Sequence, residues 1–252
     1  MRRAQRTSIA FAALGCTLLA IAGCRAPGLP GAAEERPEQV RDFNVLYKQN
    51  CAGCHGEDGR SGIALSLANP VYIAIAGKDA IAEATAKGGP GALMPAFAKS
   101  QGGFLSAQQV ELLSDGIVRR WGRPSALNGL TPPSYAATLS GDAAAGKSAF
   151  ATYCARCHRS ADTTPSAQKK GLPRNVGSLT DADFLALISD QNLRSTIVAG
   201  KPDEGMPDWR GFGPQPLTDQ QVTDIVAWLS SQRKKAVGPS PQTQSEMQGE
   251  KQ

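Results

Sequence analysis

The sequence predicts an all-α fold, arranged as two small helical domains in tandem, on three observations. Apolar residues recur at helical spacing, and no segment alternates with a period of two. Two capping boxes, Ser106-x-x-Gln109 and Thr218-x-x-Gln221, each open a run with that spacing. The chain also repeats itself: Cys51-Ala52-Gly53-Cys54-His55 returns as Cys154-Ala155-Arg156-Cys157-His158, 103 residues later.

Taken in order, residues 1–24 read as a processing segment. Arg2, Arg3 and Arg6 form a basic start, and Ile9 to Ala22 is an apolar run of about 14 residues, short of the roughly 20 that a membrane span needs. It ends Ile21-Ala22-Gly23-Cys24, which resembles the cleavage box of bacterial lipoproteins. By that resemblance the leader is cut before Cys24 and Cys24 is lipidated; the rival is an ordinary secretory signal with an incidental cysteine. Several acyl chains, at ~0.8 kcal/mol per buried methylene, make a stable anchor. Residues 25–39 are rich in Pro, Gly and Glu and read as a flexible tether. Residues 40–122 and 141–236 form the two copies, and 123–140, with Pro124, Gly129, Pro132 and Pro133, is an interdomain linker that permits several domain arrangements. Residues 237–252 read as a disordered tail.

The formal charge of +5 is no argument for a nucleic-acid partner. Removing a leader with three arginines and no acidic residue takes +5 to +2.

Within the copies the offset grows from 103 to 112, a nine-residue insertion between His158 and Leu179 in a Ser/Thr/Pro/Lys-rich loop. Added loop length there costs little. Thereafter Leu67 pairs with Leu179, Tyr72 with Phe184, Gly88 with Gly200 and Met94-Pro95 with Met206-Pro207. The capped helices carry Val110, Leu113, Ile117 and Trp121 in one copy, and Val222, Ile225, Val226 and Leu229 in the other. Phe43 and Tyr47, and Gly146 and Phe150, lie four residues apart before each motif. Copies of this size have thin cores of their own.

The paired motifs carry the chemistry. Two thiols three residues apart, followed at once by histidine, read as c-type haem attachment. Residues i, i+3 and i+4 of a helical turn share a face, so two sulfurs reach one porphyrin edge while the imidazole swings beneath the iron. A C-x-x-C alone also serves as a redox dithiol or half a zinc site. Here the chain has two histidines, and both follow a C-x-x-C directly. Neither rival requires that coincidence twice, so Cys51, Cys54, Cys154 and Cys157 are assigned to two c-type haems, with His55 and His158 on the irons.

No histidine remains for the opposite face. Of four methionines, Met1 is in the leader and Met247 in the tail, which leaves Met94 and Met206, equivalent and each followed by proline in a Gly-rich loop. Core filler belongs instead on periodic helix faces. His/Met coordination raises the reduction potential and closes the iron, which favours electron transfer over chemistry on a small molecule.

On these residues each copy resembles a class I c-type cytochrome. The lipoprotein leader and tandem arrangement are similar to dihaem cytochrome subunits of bacterial respiratory chains. The resemblance implies helices from the two ends of each copy crossing beside the haem, and haem attachment outside the cytoplasm. That crossing commonly sets a glycine against an aromatic residue. Gly146 and Trp228 fit in the second copy; in the first, Phe43 and Gly116 occupy those places, large and small exchanged. Direct Phe43–Gly116 contact is therefore expected, the alternative being two unrelated substitutions. The axial histidine's outer nitrogen normally donates to a backbone carbonyl, often a proline's in this family. Pro173 is the counterpart in the second copy, and the first copy has no proline between His55 and Pro70. Trp209 reads as packing, with contact to a haem edge as the alternative.

The expected function is single-electron transfer between redox proteins or a respiratory complex. The protein would sit on the periplasmic side of a membrane, anchored through Cys24, as a carrier or as a complex subunit. No small-molecule substrate is expected. The rival classes, a dihaem peroxidase or a gas or redox sensor, need an open iron. Carbon monoxide binding by the reduced protein discriminates them.

Overall fold

The structure, a computed structural model, describes residues 36–89, 93–158 and 177–233. The leader with Cys24, most of the tether, the insertion with Pro173 and the tail lie outside the described residues. The chain falls into two units, Met1–Gln39 and Val40–Gln252. In the first, the described residues form one 3-10 turn, Pro37–Gln39, with the Gln39 N–H donating to Arg36 O at 2.8 Å.

The second unit is helical, and nearly every helix begins at a side chain that accepts its orphan N–H groups. Asp42 opens α1 (Phe43–Asn50), accepting from the Val45 N–H at 2.9 Å. One further turn, α2 (Ala52–His55), carries the first motif. Asn69 caps α3 (Pro70–Lys87), with proline in its first turn. Capping boxes open α4 (Ala107–Trp121) and, in the second copy, α8 (Asp219–Ser231), as the sequence predicts. Asp142, Asp181 and Ser189 open α5 (Ala143–Tyr153), α6 (Ala182–Leu187) and α7 (Asp190–Ala199).

One kinked helix, α3, in the first copy corresponds to two short ones in the second, and the copies agree. Helix α3 is broken at Gly77 (φ 70°, ψ 171°), a conformation that essentially only glycine adopts. The 112 offset sets Pro70 on Ala182, the first residue of α6, and Gly77 on Ser189, the cap of α7. Among the described residues there is no strand, only isolated bridges at Ala98–Leu105 and Lys201–Met206. None of the described helices is long and apolar enough to cross a membrane.

Each copy is closed by its first and last helices. Val110, Leu113, Ile117 and Trp121 of α4 are buried, as are Val222, Ile225, Val226 and Leu229 of α8. Burying an aliphatic side chain this fully contributes ~1.5–3 kcal/mol. At the α1–α4 crossing a methyl group on Gly116 would overlap the Phe43 ring, so the expected contact exists. Phe43 and Tyr47 both pack on Trp121, with centroids 6.0 and 5.2 Å away. At the α5–α8 crossing Gly146 lies against the Asp224 carbonyl and the Trp228 Cβ, and Phe150 meets the Trp228 ring at 4.5 Å. Large and small are exchanged between the copies while each crossing stays filled.

The stretch 123–140 forms no regular element, but it is fastened down. Arg194, 2% exposed, donates from Nε to Ser134 O at 2.8 Å and from Nη1 to Thr223 Oγ1 at 3.0 Å, and it pairs with Asp219. Such a buried cation is tolerated because its donors are matched. Tyr135 continues the seam: its ring meets Tyr72 of the first copy at 6.5 Å, and its carbonyl accepts from Gln191 Nε2 of the second at 2.9 Å. The arrangement that the sequence left open is thus a single packed one.

Candidate functional site

Both motifs form the same tight turn. The His55 N–H donates to Cys51 O and the His158 N–H to Cys154 O, each at 2.9 Å. That places the two sulfurs and the imidazole of each motif on one side of the backbone. Burial pushes the Cys51 and Cys154 thiols up to about 12, with the partner cysteine adding to the effect. These are neutral thiols, whereas a redox dithiol works through a thiolate of lowered pKa. The described cysteines form no disulfide, and no group of three or more His, Cys, Asp or Glu among the described residues is placed to hold a metal ion.

The orientation of each imidazole is set by the loop that follows it. His55 Nδ1 donates to Leu65 O at 2.7 Å, and His158 Nδ1 donates to Gly177 O at 3.2 Å. A carbonyl only accepts, so Nδ1 carries the proton and Nε2 presents its lone pair. Desolvation lowers the pKa of both imidazoles, against a smaller opposing effect of these bonds, which keeps the rings neutral. The acceptor in the second copy is thus Gly177 among the described residues, and Pro173 lies outside them. Leu65 and Gly177 are equivalent under the 112 offset, and that correspondence was the signal available in the sequence. The donation needs only a carbonyl, which every residue has. Tyr47 adds a further tie, donating its hydroxyl to Gly56 O at 2.9 Å.

Met94 and Met206 are held by backbone pairing in matched turns. Gly89 N–H donates to Met94 O at 2.9 Å, and the equivalent Lys201 N–H donates to Met206 O at 3.0 Å. Met206 N–H returns a bond to Lys201 O at 3.1 Å. The turns begin at Gly88 (φ 82°) and Gly200 (φ 69°), where a side chain would be strained and would strike the backbone of the methionine loop. Both methionines are half-buried.

The structure brings all eight of these side chains to one cavity of about 1090 Å³. Cys51, Cys54, His55 and Met94 line it from the first copy; Cys154, Cys157, His158 and Met206 line it from the second. Pockets for one drug-sized ligand span ~300–1,000 Å³, so a cavity just above that range with two donor sets suits two ligands. The rest of its wall is mainly apolar, including Leu67, Ile81 and Ile117, and Leu179, Leu193 and Ile197. Soft sulfur donors, a neutral imidazole with a free Nε2 and apolar walls fit an iron porphyrin. Sequence reasoning missed Tyr72 and Tyr135, which stand in the wall where the copies meet. Trp209 is 1% exposed, lies in the core and is absent from the cavity wall, which supports packing; Arg210 stacks on it at 4.6 Å.

A helical tandem with an attachment motif in each half defines a class I c-type cytochrome of the dihaem form. More particularly, the chain belongs to the family described as cytochrome c oxidase, cbb3-type, subunit III, whose profile matches residues 38–113 and 141–229. Haem binding and cytochrome c electron transfer follow from that membership. Among solved structures the chain is similar to the Kuenenia stuttgartiensis reducing HAO-like protein complex Kustc0457/Kustc0458. The identity is 17% over 77% of this chain and 99% of that one, with a TM-score of 0.43, too loose a likeness to carry an argument. No curated protein sequence matches the chain.

Proposed function

We propose that the protein is a membrane-tethered dihaem cytochrome that passes single electrons between redox partners outside the cytoplasm. One observation carries the proposal: two equivalent Cys/Cys/His/Met sets line a single cavity, and each histidine has only Nε2 free. Cys51 and Cys54, and Cys154 and Cys157, would hold the two haems by thioether bonds. His55 with Met94, and His158 with Met206, would fill the axial positions. When bound, each haem would supply reversible one-electron oxidation and reduction.

The chain's own residues make that exchange simple. Leu65 O and Gly177 O fix the imidazoles, and the paired turns at Gly88 and Gly200 fix the methionines. Ligands held this way would stay in place through a one-electron change, and the mainly apolar wall would limit water around them. With both sets on one cavity, two bound haems would be able to exchange electrons without domain movement. Exposed apolar residues at its mouth, Ile63 and Leu93 in the first copy and Leu187 in the second, would meet a redox partner. Such encounters bury less than about 1,200 Å². Lipidated Cys24 would anchor the chain on the periplasmic side. The family's description names an oxidase subunit, which supports an anchored subunit of a respiratory complex over a free carrier.

Carbon monoxide tests the closed-site reading against a peroxidase or sensor. The reduced protein is expected to show no spectral response to the gas. Met94→Ala and Met206→Ala should each create one gas-binding haem, and the double variant two. Uptake by the unaltered protein would overturn the carrier reading.

A further inference from the structure

We propose that Asn69 couples the two haem sites by fastening the methionine loop of the second copy to the start of α3 in the first. The proposal rests on the dihaem reading above.

Asn69 is 3% exposed, and all its hydrogen-bonding capacity is used. Its Oδ1 accepts from the Val71 and Tyr72 N–H groups at 2.9 and 3.3 Å, capping α3. Its Nδ2 donates to Ala199 O at 2.9 Å and Gly200 O at 3.2 Å, in the other copy. A side-chain amide has two donors and one oxygen with two lone pairs, so the four bonds saturate it. Turning the amide over would set oxygen against carbonyls and NH2 against N–H groups. The chemistry of the neighbours therefore fixes its orientation.

The equivalent residue in the second copy shows which half of this task is special. Asp181 caps α6, accepting from the Asp183 and Phe184 N–H groups at 3.0 and 2.8 Å, and it is exposed. A carboxylate suffices for a cap. The amide at position 69 is required only by the donation across the seam. There it satisfies carbonyls at the end of α7, which helix geometry leaves without partners of their own.

The two ends of this connection are both site elements. On the first copy, Asn69 closes the loop whose Leu65 carbonyl orients His55. On the second, Gly200 begins the turn in which Lys201 pairs with Met206. Tyr72 and Tyr135 pack over the same seam, and burial strengthens the bonds beneath them. Asn69 thus acts as a positioning residue for Met206 although it belongs to the other copy.

The test uses the full-length, haem-loaded protein with Asn69→Asp. This variant keeps the α3 cap but turns a charge, with nothing to donate, toward two carbonyls at the negative end of a helix. Asn69→Ser, also a good cap but too short to span the seam, serves if the charged variant fails to fold. Haem is counted first in the unaltered protein, and fewer than two per chain would overturn the dihaem reading itself. Both potentials are then measured, with the haems assigned through Met94→His, which lowers the first site's potential. The expected result is a lower potential at the second site, with a gain of carbon monoxide uptake there, and a smaller change or none at the first. No change at either site, or a change mainly at the first, would show that Asn69 is only a helix cap and would overturn the proposal.

Discussion

Two carbonyl oxygens, those of Leu65 and Gly177, decide which nitrogen each histidine leaves free. Nothing in the identity of leucine or glycine announces that role, because every residue has the same carbonyl. The cysteines, histidines and methionines were legible in the sequence because their chemistry resides in side chains at fixed spacing. A tyrosine's ionisation supplies a test at this scale. Burial raises the pKa of Tyr47, Tyr72 and Tyr135 above the ordinary value of 10.0. Above about pH 10 the unfolded chain loses phenolic protons that the folded chain keeps, so stability falls as pH rises. Tyr47→Phe should cost about 1 kcal/mol at neutral pH through its lost bond to Gly56 O. It should also flatten the decline between pH 9 and 11, as measured by urea unfolding. An unchanged slope would mean that Tyr47 ionises freely in the fold.

Helix starts were legible where a capping box marks them, and the single caps at Asp42, Asn69, Asp142, Asp181 and Ser189 were not singled out. Ser106 with Gln109, and Thr218 with Gln221, form the predicted boxes. The break at Gly77 was not legible, because the apolar pattern of α3 continues past it and glycine is tolerated within helices. The sequence singles out nothing at Asn69, and the fold shows both of its pairs of bonds. The helix crossings give the sharpest prediction about elements. Gly116→Ala must displace the half-buried Phe43 ring, a side chain that yields more readily than backbone, and should cost about 1–3 kcal/mol. Gly146→Ala meets the Asp224 carbonyl, part of a helix backbone that cannot turn aside. Its loss in denaturant unfolding should therefore be the larger. Equal losses would mean that the two crossings are equally adaptable.

At the scale of the whole molecule, tandem copies were legible as a repeat, whereas their mutual packing was not. A stretch rich in Pro and Gly is compatible with many arrangements. The chosen one depends on contacts far apart in sequence, such as Arg194 with Ser134 and Tyr72 with Tyr135. Anchoring also belongs to this scale. Cys24→Ser should abolish incorporation of labelled fatty acid into the protein without changing its visible spectrum. Labelling that persists in the variant would overturn Cys24 as the lipidated residue. The central claim, two closed sites that each carry one electron, is met most directly by an anaerobic potentiometric titration of the visible spectrum. The haem is counted in alkaline pyridine on the same sample. Two haems per chain, reduced in two reversible one-electron steps, is the predicted result. A single haem, or a site that reduces irreversibly, would contradict it.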